Sequence, residues 1–147
     1  ESGVVVVRSL TKMFGLPGLR MGLAVATGGL HERLEVARPA WGVSMPAADV
    51  GAYCLRQTKF VAETRDRVRT ERARVADRLR DSFEVYPSEA PFLLLGVRDR
   101  SVSDVIDDAR RDGIVVRDAT TFRSLDAHIR VAIRRRHEND RLINALL

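Results

Sequence analysis

Val4 to Val7 form an unbroken run of valines near the start of the chain, and no other feature restricts the fold as much. A β-branched run without polar alternation is the pattern of a strand covered on both faces, as in the parallel sheets of α/β proteins. One further strand is readable close by, Met21 to Ala26, after a turn marked by Gly15, Pro17 and Gly18 and before a closing Thr27 to Gly29. Two strands cannot hide such a run on both faces. The segment is therefore expected to be a remnant of a larger parallel sheet, with neighbours from another chain or from polypeptide upstream of Glu1.

The rest of the chain alternates helix and strand. Leu30 to Val36 reads as a helical turn or two before Pro39, and Met45 to Leu55 as a helix whose second position is Pro46, where proline costs least. A long amphipathic helix is expected from about Thr58 to Phe83, with Phe60, Val61, Val68, Val75 and Leu79 as its buried stripe. Then come a strand at Phe92 to Val97 and a helix at Val102 to Arg111 that stops at Gly113. "GIVVRD" and "HIRVAIR" read as two more strands around a loop with Thr120, Thr121 and Phe122. Glu138 to Leu147 closes as a helix with Leu142, Ile143 and Leu146 inward. The expected division is 1–57, a sheet remnant with its covering helices, and 58–147, a self-sufficient α+β unit of helix, strand, helix, strand, strand and helix.

Composition narrows the function classes. With 45% hydrophobic and 31% charged residues in 147, the chain can bury a core, which argues against disorder. No apolar run approaches the roughly 20 residues of a membrane span, and no signal peptide is readable, so a cytoplasmic protein without a membrane partner is expected. Cys54 is the sole cysteine and lies between Tyr53 and Leu55, which suits a buried, inert thiol in a reducing compartment. The net charge of +5 would suit nucleic acid if it were clustered. From Lys59 to Arg80, however, the basic residues alternate with Glu63, Asp66, Glu71, Asp77 and Asp81, the pattern of a solvated helix face laced with ion pairs. His31, His128 and His137 share no metal-ligand spacing and read as surface or helix-end residues, and Trp41 and Phe14 read as core.

Of the 25 basic residues only Lys12 and Lys59 are lysine. Lys59 opens the charged helix and needs no special account. Lys12 lies just past the carboxyl end of the valine strand, where open α/β sheets place ligand chemistry. A guanidinium there could bind an anion but could not condense with an aldehyde, which requires a primary amine. Ser9 and Thr11 just before it, and Arg20 eight residues after it, are donors suited to a phosphate group.

The order Ser9, any residue, Thr11, Lys12, then Phe14 and Leu16-Pro-Gly-Leu-Arg20 with Gly22 resembles the lysine motif of fold-type I pyridoxal-phosphate enzymes. Within the class I/II aminotransferases it is most similar to the branch of histidinol-phosphate aminotransferase and the threonine-phosphate decarboxylase of cobalamin biosynthesis. "PAWGVSMPAADVGAYCL" resembles that branch's Pro-aromatic-x-Val-Ser/Asn segment and following helix. "GIVVRD", "HIRVAIR" and "ENDRLINAL" resemble its carboxyl-terminal signature. The implied fold is α/β, the carboxyl-terminal part of such an enzyme: a remnant of the large-domain parallel sheet plus an α+β small domain.

The resemblance implies that Lys12 forms the imine with pyridoxal phosphate and that Ser9, Thr11 and Arg20 bind the cofactor phosphate. It implies that Arg130 grips the substrate carboxylate and that Arg117 helps to hold an anionic substrate, a small phosphorylated amino acid. From the residues alone, the competing reading of both arginines is an internal ion pair with Asp118 or Asp126. The loop "DATTFRSL" is slightly closer to the decarboxylase branch. The glycine-rich phosphate turn, the ring-stacking aromatic, the carboxylate on the pyridine nitrogen and the asparagine on the ring hydroxyl are not found in this sequence. The expectation is a truncated, inactive fragment of a homodimeric enzyme. The alternatives are a non-catalytic dimerisation or binding module derived from one, and a weak nucleic-acid binder.

Overall fold

A computed structural model describes residues 3–147, which fall into two compact units, one reaching to Ala62 and the other spanning Glu63–Leu147. In the first, β1 (Val5–Ser9) leads through a short helix, α1 (Leu10–Met13), and a 3-10 turn (Pro17–Leu19) into β2 (Gly22–Ala26). Helices α2 (Gly29–Ala37) and α3 (Met45–Leu55) follow. The first turn of α4 (Thr58–Leu79) completes the unit.

The strands β1 and β2 pair antiparallel, Val5 opposite Ala26 through Ser9 opposite Gly22, and form a two-stranded sheet. The expectation of a parallel strand is thereby corrected. The connection reverses the chain over one helical turn and one 3-10 turn, whereas a parallel neighbour needs a crossover that returns the chain to its starting end. Val6, Val7 and Val25 are 58%, 77% and 57% exposed, so the two-stranded sheet covers neither face of the valine run. Burial in this unit is concentrated under the connection. Leu10, Ala47, Gly51 and Cys54 are buried, and Leu10, Leu16, Leu19, Met21, Val50, Gly51 and Cys54 close around a cavity of only about 10 Å³. A Cβ on Gly51 would sit 2.1 Å from the Met21 methyl, so α3 approaches the connection as closely as glycine permits. The start of α3 is held by Ser44, whose hydroxyl accepts from Ala47 N–H, and by Pro46 in the first turn. Cys54 is buried as expected, but Trp41 is 99% exposed with φ at 61°. Its position on the Pro39–Gly42 turn points it outward, not into a core.

In the second unit a four-stranded, wholly antiparallel sheet of order β3-β4-β6-β5 is built from β3 (Phe83–Val85), β4 (Phe92–Val97), β5 (Arg117–Asp118) and β6 (His128–Ala132). Helices α5 (Val102–Arg111) and α6 (Arg136–Leu146) complete it. Leu95 pairs with Ile129 and with Val85, and Leu93 with Val131. These side chains pack with Val75, Leu79, Val105, Ala109, Ile143 and Leu146 into one core. Helix α5 has matched ends: Ser101 accepts from Asp104 N–H at 3.1 Å, and Gly113, with φ at 71°, donates to Arg110 O while Ile114 donates to Ala109 O. That pair of bonds is the left-handed glycine stop expected from the sequence.

The long helix ends at Leu79, four residues short of Phe83, which opens β3 instead. Of the expected stripe, Val75 and Leu79 are fully buried and Val68 packs on the core, but Phe60 is 44% exposed and stacks on Phe14 with ring centroids 5.5 Å apart. Asp66 and Asp77 pair with Arg69 and Arg80 on the surface as expected. Glu71 does not: it is buried, receives Arg74 at 2.7 Å and accepts from Asn139 Nδ2 at 2.9 Å. Asn139, itself 1% exposed, also bonds both backbone groups of Arg134, and Arg74 reaches Asp140 at 2.7 Å. This network ties α4 to the start of α6. The Arg74 hydrogen bond, aided by Asn139 and by the charges of Arg74 and Arg136, holds the Glu71 carboxyl below its ordinary range despite burial. Among the described residues no helix is long and apolar enough to cross a membrane.

Candidate functional site

The lysine segment sits at the end of the β1–β2 hairpin. Ser9 closes β1 and caps α1 with extended backbone, and its Oγ lies 2.9 Å from Thr11 Oγ1. Lys12, in the last turn of α1, is exposed. The chain then turns back through Leu16 N–H to Thr11 O at 2.8 Å, and Leu10 N–H reaches Met21 O at 3.2 Å. Because Ser9 faces Gly22 across the ladder, residues 9–12 and 20–22 share one end of the hairpin. Leu10 under this segment is buried and lines the same small cavity as Val50, Gly51 and Cys54 of α3.

Arg20 is placed differently from the other donors. It adopts a left-handed backbone, φ 50° and ψ 49°, which costs a non-glycine residue about 1 kcal/mol. Its Nη1 donates to Pro17 O at 3.0 Å, closing its own turn. The structure thus brings Ser9, Thr11 and Lys12 together and puts Arg20 at the same hairpin end. Among the described residues no hydrogen bond joins Arg20 to either hydroxyl. Two hydroxyls, a primary amine and a guanidinium are the donor chemistry of an anionic aldehyde cofactor, and the residues fit that group.

In the second unit, Arg117 and Arg130 are direct partners across β5 and β6. Cross-strand partners project from the same face of a sheet, and like charges set opposite one another repel. Arg117 is exposed, donates to Thr121 Oγ1 at 3.1 Å and lies 5.6 Å from the centroid of Phe122. Arg130 is half-buried with its guanidinium 5.0 Å from the centroid of Phe92. Aromatic faces hold both cations without neutralising them. The internal ion pair with Asp118 or Asp126 is absent among the described residues. Asp118 Oδ1 instead accepts from Thr120 N–H at 2.8 Å and Thr120 Oγ1 at 2.7 Å, and these bonds, with the Arg117 charge, hold its carboxyl below the ordinary range. Two opposed guanidinium groups, neither in an ion pair among the described residues, have the donor chemistry that an anion would satisfy, and an anion between them would offset their mutual repulsion.

The same sheet face carries residues that the sequence reading did not single out. His128, two positions before Arg130, is not the surface residue expected: its Nε2 lies 3.1 Å from Tyr86 Oη and its Nδ1 is buried without a partner. Glu84 and His128 both pair with Gly96 on β4, and a Cβ there would meet Glu84 Cβ at 3.1 Å. The period-2 alternation His128, Ile129, Arg130 was the available signal for His128.

With the geometry in place, the comparisons agree in class. The sequence matches the family Aminotransferase class I and II over residues 1–146, and the chain belongs to that family. It is 35% identical to histidinol-phosphate aminotransferase 2 of Archaeoglobus fulgidus over 99% of this chain and 42% of that protein. It is also 35% identical to a putative threonine-phosphate decarboxylase of Caldanaerobacter subterraneus over 96% of this chain and 39% of that one. Among solved structures, the histidinol-phosphate aminotransferase of Clostridium acetobutylicum superposes with a TM-score of 0.88 at 25% identity, over 97% of this chain and 44% of that one. The L-threonine-O-3-phosphate decarboxylase of Porphyromonas gingivalis superposes with a TM-score of 0.80 at 27% identity, over 97% and 45%. The chain thus spans about two fifths of the length of these relatives.

Proposed function

We propose that these residues supply the lysine and the substrate-anion contacts of a pyridoxal-phosphate enzyme acting on a small phosphorylated amino acid, of the histidinol-phosphate aminotransferase or threonine-phosphate decarboxylase type. Family membership supports the cofactor, and the observation that carries the substrate class is the opposed pair Arg117 and Arg130. Pyridoxal phosphate, when bound, supplies the electron sink that lets a bond at the substrate α carbon break. Ser9, Thr11 and Arg20 would hold its phosphate, and Lys12 would bind it and afterwards move protons at Nζ. Arg117 and Arg130 would fix an anionic end of the substrate by paired N–H donors. Full turnover is proposed for a homodimeric protein of the relatives' length.

Titrating the chain with O-phospho-L-threonine tests the substrate half. Binding should weaken at least tenfold in both Arg117→Ala and Arg130→Ala, the loss of about one charge-assisted contact each. Unchanged affinity in both variants would overturn the assignment. A second reading, a dimerisation module without catalysis, draws on the exposed valines of β1. A dimer in sedimentation that Val6→Lys dissociates, combined with no phosphothreonine binding, would favour it.

A further inference from the structure

Phe92 opens β4 next to Leu93, a core residue that is 2% exposed, and strand alternation therefore puts the Phe92 ring on the sheet's outer face, where it is 37% exposed. A large aromatic side chain left in water to that extent contributes little to the core. Its backbone, by contrast, is fixed on both sides. Phe92 O accepts from Ser88 Oγ at 2.8 Å, and the preceding Pro91 O accepts from Ile133 N–H at 3.0 Å. Phe92 pairs with Ala132 on β6, and Arg130 lies two positions before Ala132 on the same face. A cross-strand diagonal of this kind is within reach of an aromatic ring and a long side chain. Ala132 offers the ring only a methyl group, so it does not compete for the aromatic face, and the Arg130 guanidinium lies over that face, 5.0 Å from the centroid.

The two arginines differ in how they are held. Arg117 has Thr121 Oγ1 as well as the Phe122 ring. Arg130 is half-buried, and among the described residues its guanidinium has no hydrogen bond and no ion pair, only the Phe92 ring. An aromatic face attracts a cation through its quadrupole but fills none of the positions that a carboxylate would take, so the N–H donors stay available. It also orders a side chain that would otherwise keep its rotamer freedom until an anion arrived, and ordering at that moment would weaken binding. We propose that Phe92 is a positioning residue of the anion site: it holds the Arg130 guanidinium in place before the anion binds and leaves its donors free. The inference rests on reading Arg117 and Arg130 as an anion site. Phe92 acts through Arg130 alone, because Arg117 has its own hydroxyl and its own ring.

The full 147-residue chain is titrated with O-phospho-L-threonine while the labelled side-chain carbon signals of Arg117 and Arg130 are followed. Phe92→Leu keeps an apolar side chain and removes the aromatic face, and affinity should fall about threefold. Phe92→Tyr keeps the face and should restore the affinity of the parent chain, a rescue that a purely structural role would not require. In the unliganded protein the Arg130 signals should carry a ring-current displacement that persists in Phe92→Tyr and vanishes in Phe92→Leu, while those of Arg117 stay in place. Undiminished affinity in Phe92→Leu, or an equal loss in Phe92→Tyr, overturns the role of Phe92, and if Arg130→Ala still weakens binding the arginine site stands. No binding by the parent chain, or no loss in Arg130→Ala, overturns the anion site and the positioning role with it.

Discussion

The two units of this chain treat apolar residues in opposite ways. In the second, Leu79, Leu95 and Ile129 are fully buried and the sheet finds its own covering helices, whereas in the first Val6, Val7 and Val25 stay exposed on a two-stranded hairpin. Both have strands rich in β-branched and aliphatic residues. The difference shows that strand propensity makes a hairpin, while stability comes from what lies on its faces. In the first unit the buried contact lies at the lysine segment, through Leu10 beside α3, and not at the valines.

The contrast can be broken most severely in the core. Leu95→Ala should lower unfolding free energy by about 3–4 kcal/mol in urea titrations, while Val6→Ala should change it by no more than about 0.5 kcal/mol. Comparable losses would mean that the valine face is covered in solution. Next in size is the buried tie between α4 and α6: Glu71→Ala should cost about 2–3 kcal/mol by removing the carboxylate that Arg74 and Asn139 share, although each keeps its other partners. Because the Glu71 carboxyl is held below its ordinary value, its stabilisation is present above about pH 4.5 and is lost as pH falls through the lowered folded-state value, which an acid series of melts reads out. Gly113→Ala comes third. The Cβ has room, 3.6 Å from Arg141, so only the left-handed backbone is strained, by about 1 kcal/mol. The smallest effect is Ser44→Ala at the start of α3, which should cost about 0.5–1 kcal/mol and leave the second unit's amide-exchange protection unchanged.

Where local chemistry decides an element, its bounds were readable. Helix α3 begins at a serine cap with Pro46, α5 runs from a serine cap to Gly113, and β4 is a short apolar run between turns; all three have the expected ends. Where tertiary context decides, they were not. Phe83 continues the period of α4 yet opens β3, because Ser82 N–H bonds back to Leu79 O and the chain turns to meet Val97. The valine run suits a parallel sheet equally well, and only the reversing connection selects the antiparallel pair. Gly113 to Val116 precedes a strand of just Arg117 and Asp118. At the candidate site, residue type and order singled out Lys12, Ser9 and Thr11 for attention in the sequence, but the partnership of Arg117 with Arg130 depends on register, and that of His128 with Tyr86 joins residues 42 positions apart.

On the proposed function, the amine at the hairpin end, and not just any lysine, meets an aldehyde whose phosphate is held beside it. Incubating the chain with pyridoxal phosphate, reducing with borohydride and mapping the modified peptides compares Lys12 directly with Lys59. The expected result is a stable label concentrated on Lys12 and reduced when Ser9 and Thr11 are both replaced by alanine. Equal labelling of Lys59, indifferent to those hydroxyls, would contradict it.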